Sequence, residues 1–181
     1  MVYLAAAVVL VGVLGLVNLV LSFGVIRRLR RHTELLSRQA AASTGPGPLM
    51  VSSGAVLPAF TATATDGGAV ALNSFDARTL AGFFAPGCPA CDERLPSFLE
   101  YAAAVADPAR VLAVIVGKAA DAEPLRRELS GVARVVLEEH GDALTTAFAV
   151  EGFPAFILFD PGGSVVASGL SMNELPVHAA A

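Results

Sequence analysis

Apolar and polar positions divide this chain into two unequal parts. Between Val2 and Ile26 only Tyr3, Asn18 and Ser22 interrupt an apolar run. As a helix the run would be about 37 Å long, more than the ~30 Å hydrocarbon core of a bilayer. The pattern predicts one transmembrane helix over residues 2–26. Nothing basic precedes the run, and Arg27-Arg28-Leu29-Arg30-Arg31 follows it, where a removed signal peptide would carry small residues for cleavage. The run is therefore expected to persist as an anchor. Residues 27–48 read as an Arg-rich flank and then a joint, Ser43-Thr44-Gly45-Pro46-Gly47-Pro48, through which no helix continues.

From Leu49 onward the apolar runs shorten and turn residues separate them. Phe60–Thr65 and Ala69–Leu72, joined by Asp66-Gly67-Gly68, predict a β-hairpin. Thr79–Phe84 predicts a strand that enters the tight loop Ala85-Pro86-Gly87. Residues 95, 98, 99, 102 and 105 are apolar at helical spacing, so Pro89–Val105 reads as a helix. Val111–Val116, rich in β-branched residues, predicts a buried strand. Asp121–Leu129 predicts a helix with Asp121 as its N-cap and Gly131 just past its end. Val135–Leu137 reads as a strand and Asp142–Phe148 as a short helix. Ala155–Phe159 and Ser164–Ser168 flank Asp160-Pro161-Gly162-Gly163 and predict a second hairpin. Strands alternating with helices imply a layered α/β domain over residues 49–181.

Charge sharpens the division. The net charge of −4 joins a basic segment, residues 1–48 with five Arg against Glu34, to an acidic one, residues 49–181 with seven basic and fifteen acidic side chains. An acidic domain matches nucleic acid poorly, because phosphate contacts need a basic face. The Arg cluster can rest against anionic headgroups or simply stop the span from passing further. Four Arg follow the span and none precede it, so the positive-inside rule puts the domain in the cytoplasm.

The chain has two cysteines, too few for a disulfide-stapled scaffold or a four-cysteine metal site. Both lie in Cys88-Pro89-Ala90-Cys91, between a predicted strand and a predicted helix. At a helix N-terminus, free N–H groups and the macrodipole favour a thiolate. Cys88 is expected to be exposed and acidified, and Cys91, almost one turn further in, to attack a mixed disulfide formed on Cys88. Pro89 suits a first turn, where its missing N–H costs nothing. Two other readings compete. Half of a zinc site would need further ligands, and His32, His140 and His178 lack ligand spacing. A purely structural disulfide across so short a loop would restrain the unfolded chain little.

Phe83-Phe84-Ala85-Pro86-Gly87-Cys88-Pro89-Ala90-Cys91, then Pro96, then Gly152-Phe153-Pro154-Ala155-Phe156, resemble the thioredoxin-fold oxidoreductases. The resemblance implies a central mixed sheet flanked by helices, with an inserted strand–helix unit between Cys91 and Pro154. It implies that Pro96 kinks the active-site helix, and that Phe153 with a cis Pro154 forms the substrate groove. The long gap from Cys91 to Pro154 is similar to the membrane-anchored TlpA-like branch. The anchor, the Arg-rich flank and the Pro-x-Cys-Pro-x-Cys site are most similar to the MauD-like accessory proteins of methylamine utilisation, which are implicated in disulfide formation during maturation of a dehydrogenase subunit. Two positions depart from the thioredoxin pattern: Gly87 replaces a tryptophan, and Gly82 replaces a buried acid that accepts the second thiol's proton. Asp92 and Glu93 are nearby acids, also explained as solvated first-turn residues. A peroxiredoxin reading fails because its threonine would fall at Ala85.

These readings imply a single-pass membrane thiol–disulfide oxidoreductase acting on protein substrates, with Cys88 attacking and Cys91 resolving. No metal or organic cofactor is implied, and electrons would pass through a membrane thiol carrier. Relatives place such domains outside the cytoplasm, against the charge rule. Two alternatives stay open: a docking module that uses the groove without chemistry, and a Cu(I) metallochaperone using the same cysteines.

Overall fold

The structure is a computed structural model. The chain divides into two units, Met1–Gly47 and Pro48–Ala181; residues 49–176 of the second are described, and of the first only Gly12. The expected anchor over 2–26, Gly12 apart, and its flank over 27–48 thus lie outside the described residues, as do 177–181. Among the described residues no helix is long and apolar enough to cross a membrane.

The Asp66-Gly67-Gly68 turn closes a small antiparallel hairpin of β1 (Thr61–Thr63) and β2 (Ala69–Ala71). The main sheet contains β3 (Thr79–Phe84), β4 (Val111–Val116), β5 (Arg134–Glu138), β6 (Ala155–Phe159) and β7 (Val165–Gly169), in the order β5-β4-β3-β6-β7. β3, β4 and β5 run parallel, while β6 pairs antiparallel with both β3 and β7. The central strand β3 is buried at all six positions, as a strand covered on both faces must be.

Alternation along the strands sorts their side chains between two cores. Ala81, Phe83, Val114 and Ile157 face Leu144, Ala147 and Phe148 of the short helix α3 (Ala143–Ala147) and its end, together with Phe60, Val70 and Phe75 from the hairpin region. Leu80, Phe84, Ile115 and Phe156 face the other side. There they meet Leu95, Phe98 and Ala102 of α1 (Pro89–Val105), and Leu125 and Leu129 of α2 (Ala119–Leu129). The stretch between Cys91 and Pro154, where the resemblance placed an added strand–helix unit, holds β4, α2, β5 and α3.

Several boundaries differ from the sequence reading: β1 is shorter than Phe60–Thr65, β5 longer than Val135–Leu137, α3 shorter than Asp142–Phe148, β7 one residue later than Ser164–Ser168, and α2 starts earlier. α2 begins two residues before Asp121, and Lys118 is its N-cap with no side-chain hydrogen bond. The Lys118 carbonyl accepts from the N–H groups of Asp121 and Ala122, so backbone bonding starts the helix. Asp121 lies in the first turn, where its charge still complements the dipole.

Candidate active site

At the end of β3 the chain turns through Ala85-Pro86-Gly87. Gly87 has φ +72°, a left-handed conformation that a side chain would disfavour. The turn closes with Cys88 N–H on the Ala85 carbonyl at 3.3 Å. Cys88 is then the N-cap of α1, with extended backbone at φ −89° and ψ 108°, and Pro89 occupies the first turn.

The sulfur of Cys88 stands where a capping side chain usually places an oxygen. It accepts from the Cys91 N–H at 3.3 Å, a bond that Cys91 shares with the Cys88 carbonyl at 2.9 Å. Cys88 is half-buried, whereas Cys91 is fully buried among Leu95, Phe98 and their neighbours. Both are free thiols. Burial pushes the Cys91 thiol up to about 12, with smaller contributions from the Cys88 sulfur and the charge of Asp92; the Ala85 backbone opposes the shift. Pro96 lies inside α1 on its exposed face, and Asp92 and Glu93 are exposed.

Phe153–Pro154 is a cis peptide bond, the isomer the resemblance implies. Pro154 is buried and Phe153 half-buried. The Cys88 thiol donates to the Phe153 carbonyl at 3.8 Å, which brings the two separate motifs together. Just before this loop, Glu151 N–H bonds the Leu49 carbonyl at 2.8 Å and Val51 N–H bonds the Phe148 carbonyl at 2.8 Å. The N–H groups of Gly152 and Phe153 have no hydrogen-bond partner among the described residues.

Gly82 explains one departure from the thioredoxin pattern. A Cβ there would lie 2.6 Å from Cε2 of Phe98. The Phe98 ring meets Phe84 edge-on at 5.1 Å and stacks on Phe156 at 6.0 Å, so it is held from both sides. The space beside β3 is filled by an aromatic ring and not by a carboxyl group. Gly82→Ala should therefore cost about 1–3 kcal/mol by overpacking, read as a lower urea midpoint. An unchanged midpoint would mean that Phe98 can retreat.

Glu138 was not singled out by sequence. It is a buried carboxylate that accepts from the N–H groups of Leu144 at 3.0 Å and Thr145 at 3.2 Å, tying β5 to the first turn of α3. Burial raises its pKa, and those two N–H groups oppose the rise. The available signal was strand alternation, which puts Glu138 on the same face as the core residue Val136. His140 lies exposed in the following loop, 3.8 Å from Glu151.

Residues 52–180 match the Redoxin family. No curated protein matches the chain significantly. The thioredoxin domain of a thiol-disulfide oxidoreductase from Bacteroides vulgatus is 28% identical, with a TM-score of 0.58 over 69% of this chain and 93% of that one. A thiol:disulfide interchange protein from Bacteroides sp. is also 28% identical, with a TM-score of 0.56 over 68% and 85%. A DsbF homologue from Corynebacterium diphtheriae shares the fold at 14% identity, with a TM-score of 0.57 over 75% and 90%.

Proposed function

We propose that this chain, which belongs to the Redoxin family, is a redox enzyme that exchanges dithiols and disulfides with protein substrates through Cys88 and Cys91. Its fold is thioredoxin-like, a mixed sheet with flanking helices. The observation that carries the proposal is the Cys91 N–H directed at the Cys88 sulfur on the first turn of α1. A thiolate at Cys88 gains that donor and the positive end of the helix.

In the reducing direction the Cys88 thiolate attacks one sulfur of a substrate disulfide. A Cys88–substrate disulfide forms, and the other substrate sulfur leaves and takes a proton. Cys91 then loses its proton and attacks the Cys88 sulfur, which expels the second substrate thiolate. Two electrons have moved to the substrate, and Cys88 and Cys91 are left as a disulfide. The oxidising direction is the reverse. The N–H of Phe153, without a partner among the described residues, offers the substrate backbone a pairing site beside the sulfur. The two 28% identical relatives carry names of this activity.

The finer reading is a MauD-like protein tethered by residues 2–26, with its domain outside the cytoplasm and a membrane thiol carrier as electron partner. It would mature an extracytoplasmic protein. This rests on the apolar run, the Arg-rich flank and the Pro-x-Cys-Pro-x-Cys pattern. The test of the activity is turnover of a protein disulfide by the full-length chain with dithiothreitol, and oxidation of a reduced protein by its disulfide form. Failure in both directions refutes it and leaves the docking and Cu(I) readings. The test of location is a membrane-impermeant maleimide on intact cells. Labelling without reductant indicates an outward reduced site, and labelling only after reductant an outward disulfide. Labelling only after lysis puts the domain in the cytoplasm.

A further inference from the structure

Leu49 and Leu170, at 42% and 39%, join Val56 as the large apolar side chains left exposed among the described residues. Leu49 is held in place: its carbonyl accepts from Glu151 N–H at 2.8 Å, and the next pairing, Val51 to Phe148, fixes the segment alongside residues 148–151. Its side chain covers Gly152, where an added Cβ would lie 3.4 Å from Leu49 Cδ2. Gly152 immediately precedes Phe153, whose carbonyl is 3.8 Å from the Cys88 sulfur. We infer that Leu49 is a specificity-determining wall of the substrate groove, and that it selects extended substrate segments with an apolar residue flanking the reactive cysteine.

The inference rests on the exchange reading above. Bonding to Cys88 pins the substrate's cysteine beside Phe153. An extended chain advances about 3.3 Å per residue, so a side chain one or two residues away comes over Gly152 and Leu49. An apolar side chain there removes Leu49 from water. An acidic one would leave Leu49 wet. The segment containing Leu49 lies outside both the main sheet and the cysteine motif.

The experiment compares two peptides, each with one cysteine in mixed disulfide with a small thiol. One has leucine on both sides of the cysteine and the other aspartate. With the full-length chain, kcat/KM should favour the leucine peptide about tenfold, the size expected for covering one half-exposed leucine, and the difference should lie in KM. Leu49→Ser and Leu49→Ala should bring the ratio close to one. Val56→Ala, a truncation at an exposed valine elsewhere, should keep it near ten. Equal use of both peptides by the unmodified chain, a ratio unchanged in both Leu49 variants, or a loss also seen in Val56→Ala would each overturn the inference. Glutathione disulfide separates this failure from that of the exchange reading: if the unmodified chain exchanges with none of the three disulfides, the reading itself falls.

Discussion

Replacing Cys88 with serine is expected to bring exchange down to the uncatalysed rate, whereas replacing Cys91 should turn the chain into a trap for its substrate. The two sulfurs are three residues apart but differ in access: Cys88 is half-buried at the helix start, and Cys91 has no exposed surface. An incoming disulfide meets Cys88 alone. Cys88→Ser leaves one thiol, hidden and held protonated, and no adduct should form. Cys91→Ser keeps the attack and loses the resolving thiol, so a one-to-one mixed disulfide should accumulate. Non-reducing electrophoresis and intact mass measurement read both results directly, because the chain has no other cysteine. An adduct on Cys88→Ser through Cys91 would reverse the assigned order.

The second large effect is on the resolving step and its pH dependence. Burial places the Cys91 thiol near 12, above its ordinary value of 9.0. At pH 7 only about one such thiol in 10⁵ is ionised. Gly82 and the Phe98 ring leave no carboxyl group on β3 to take the proton. Release of a coloured thiol from its mixed disulfide with Cys88 should accelerate about tenfold per pH unit from pH 6 to 10. A plateau below pH 9 would show that another group accepts the Cys91 proton. The same shift has a stability consequence of definite sign. The folded state holds this proton more tightly than the unfolded state does. The stabilisation is complete below pH 9 and is lost as pH rises from 9 towards 12. Urea midpoints taken across that range in Cys91→Ala and the parent chain should converge.

Local pattern made much of this structure legible. Strands β3 and β4 and helix α1 have the bounds that their apolar runs and spacing predict, because Pro86, Gly87 and Pro89 punctuate the chain where the backbone must turn. The cysteine pair was equally legible, since its place between strand and helix is a matter of adjacent residues. The start of α2 was not, because backbone bonding to Lys118 set it and Asp121 was the only visible cap. Contacts between distant segments were beyond reach as well. Nothing near Gly82 in sequence announces that Phe98 fills its missing side chain, and nothing near Glu138 announces that its carboxylate serves Leu144 and Thr145. Leu49 read only as the first residue of the domain, and its bond to Glu151 is what sets it beside Gly152.

That bond also bears on long-range control. The carbonyl of Leu49 joins the point where the preceding chain enters the domain to the strip of backbone that would receive a substrate, two residues before Phe153. Allosteric communication usually needs a bistable element between two separate sites. Here the path is one hydrogen bond long. A displacement of Leu49 would act directly on the groove's edge, and its chain neighbour Met50 carries the same movement to one core. Amide hydrogen exchange at Glu151 is the natural gauge of that coupling, because its N–H is protected only while Leu49 stays in place.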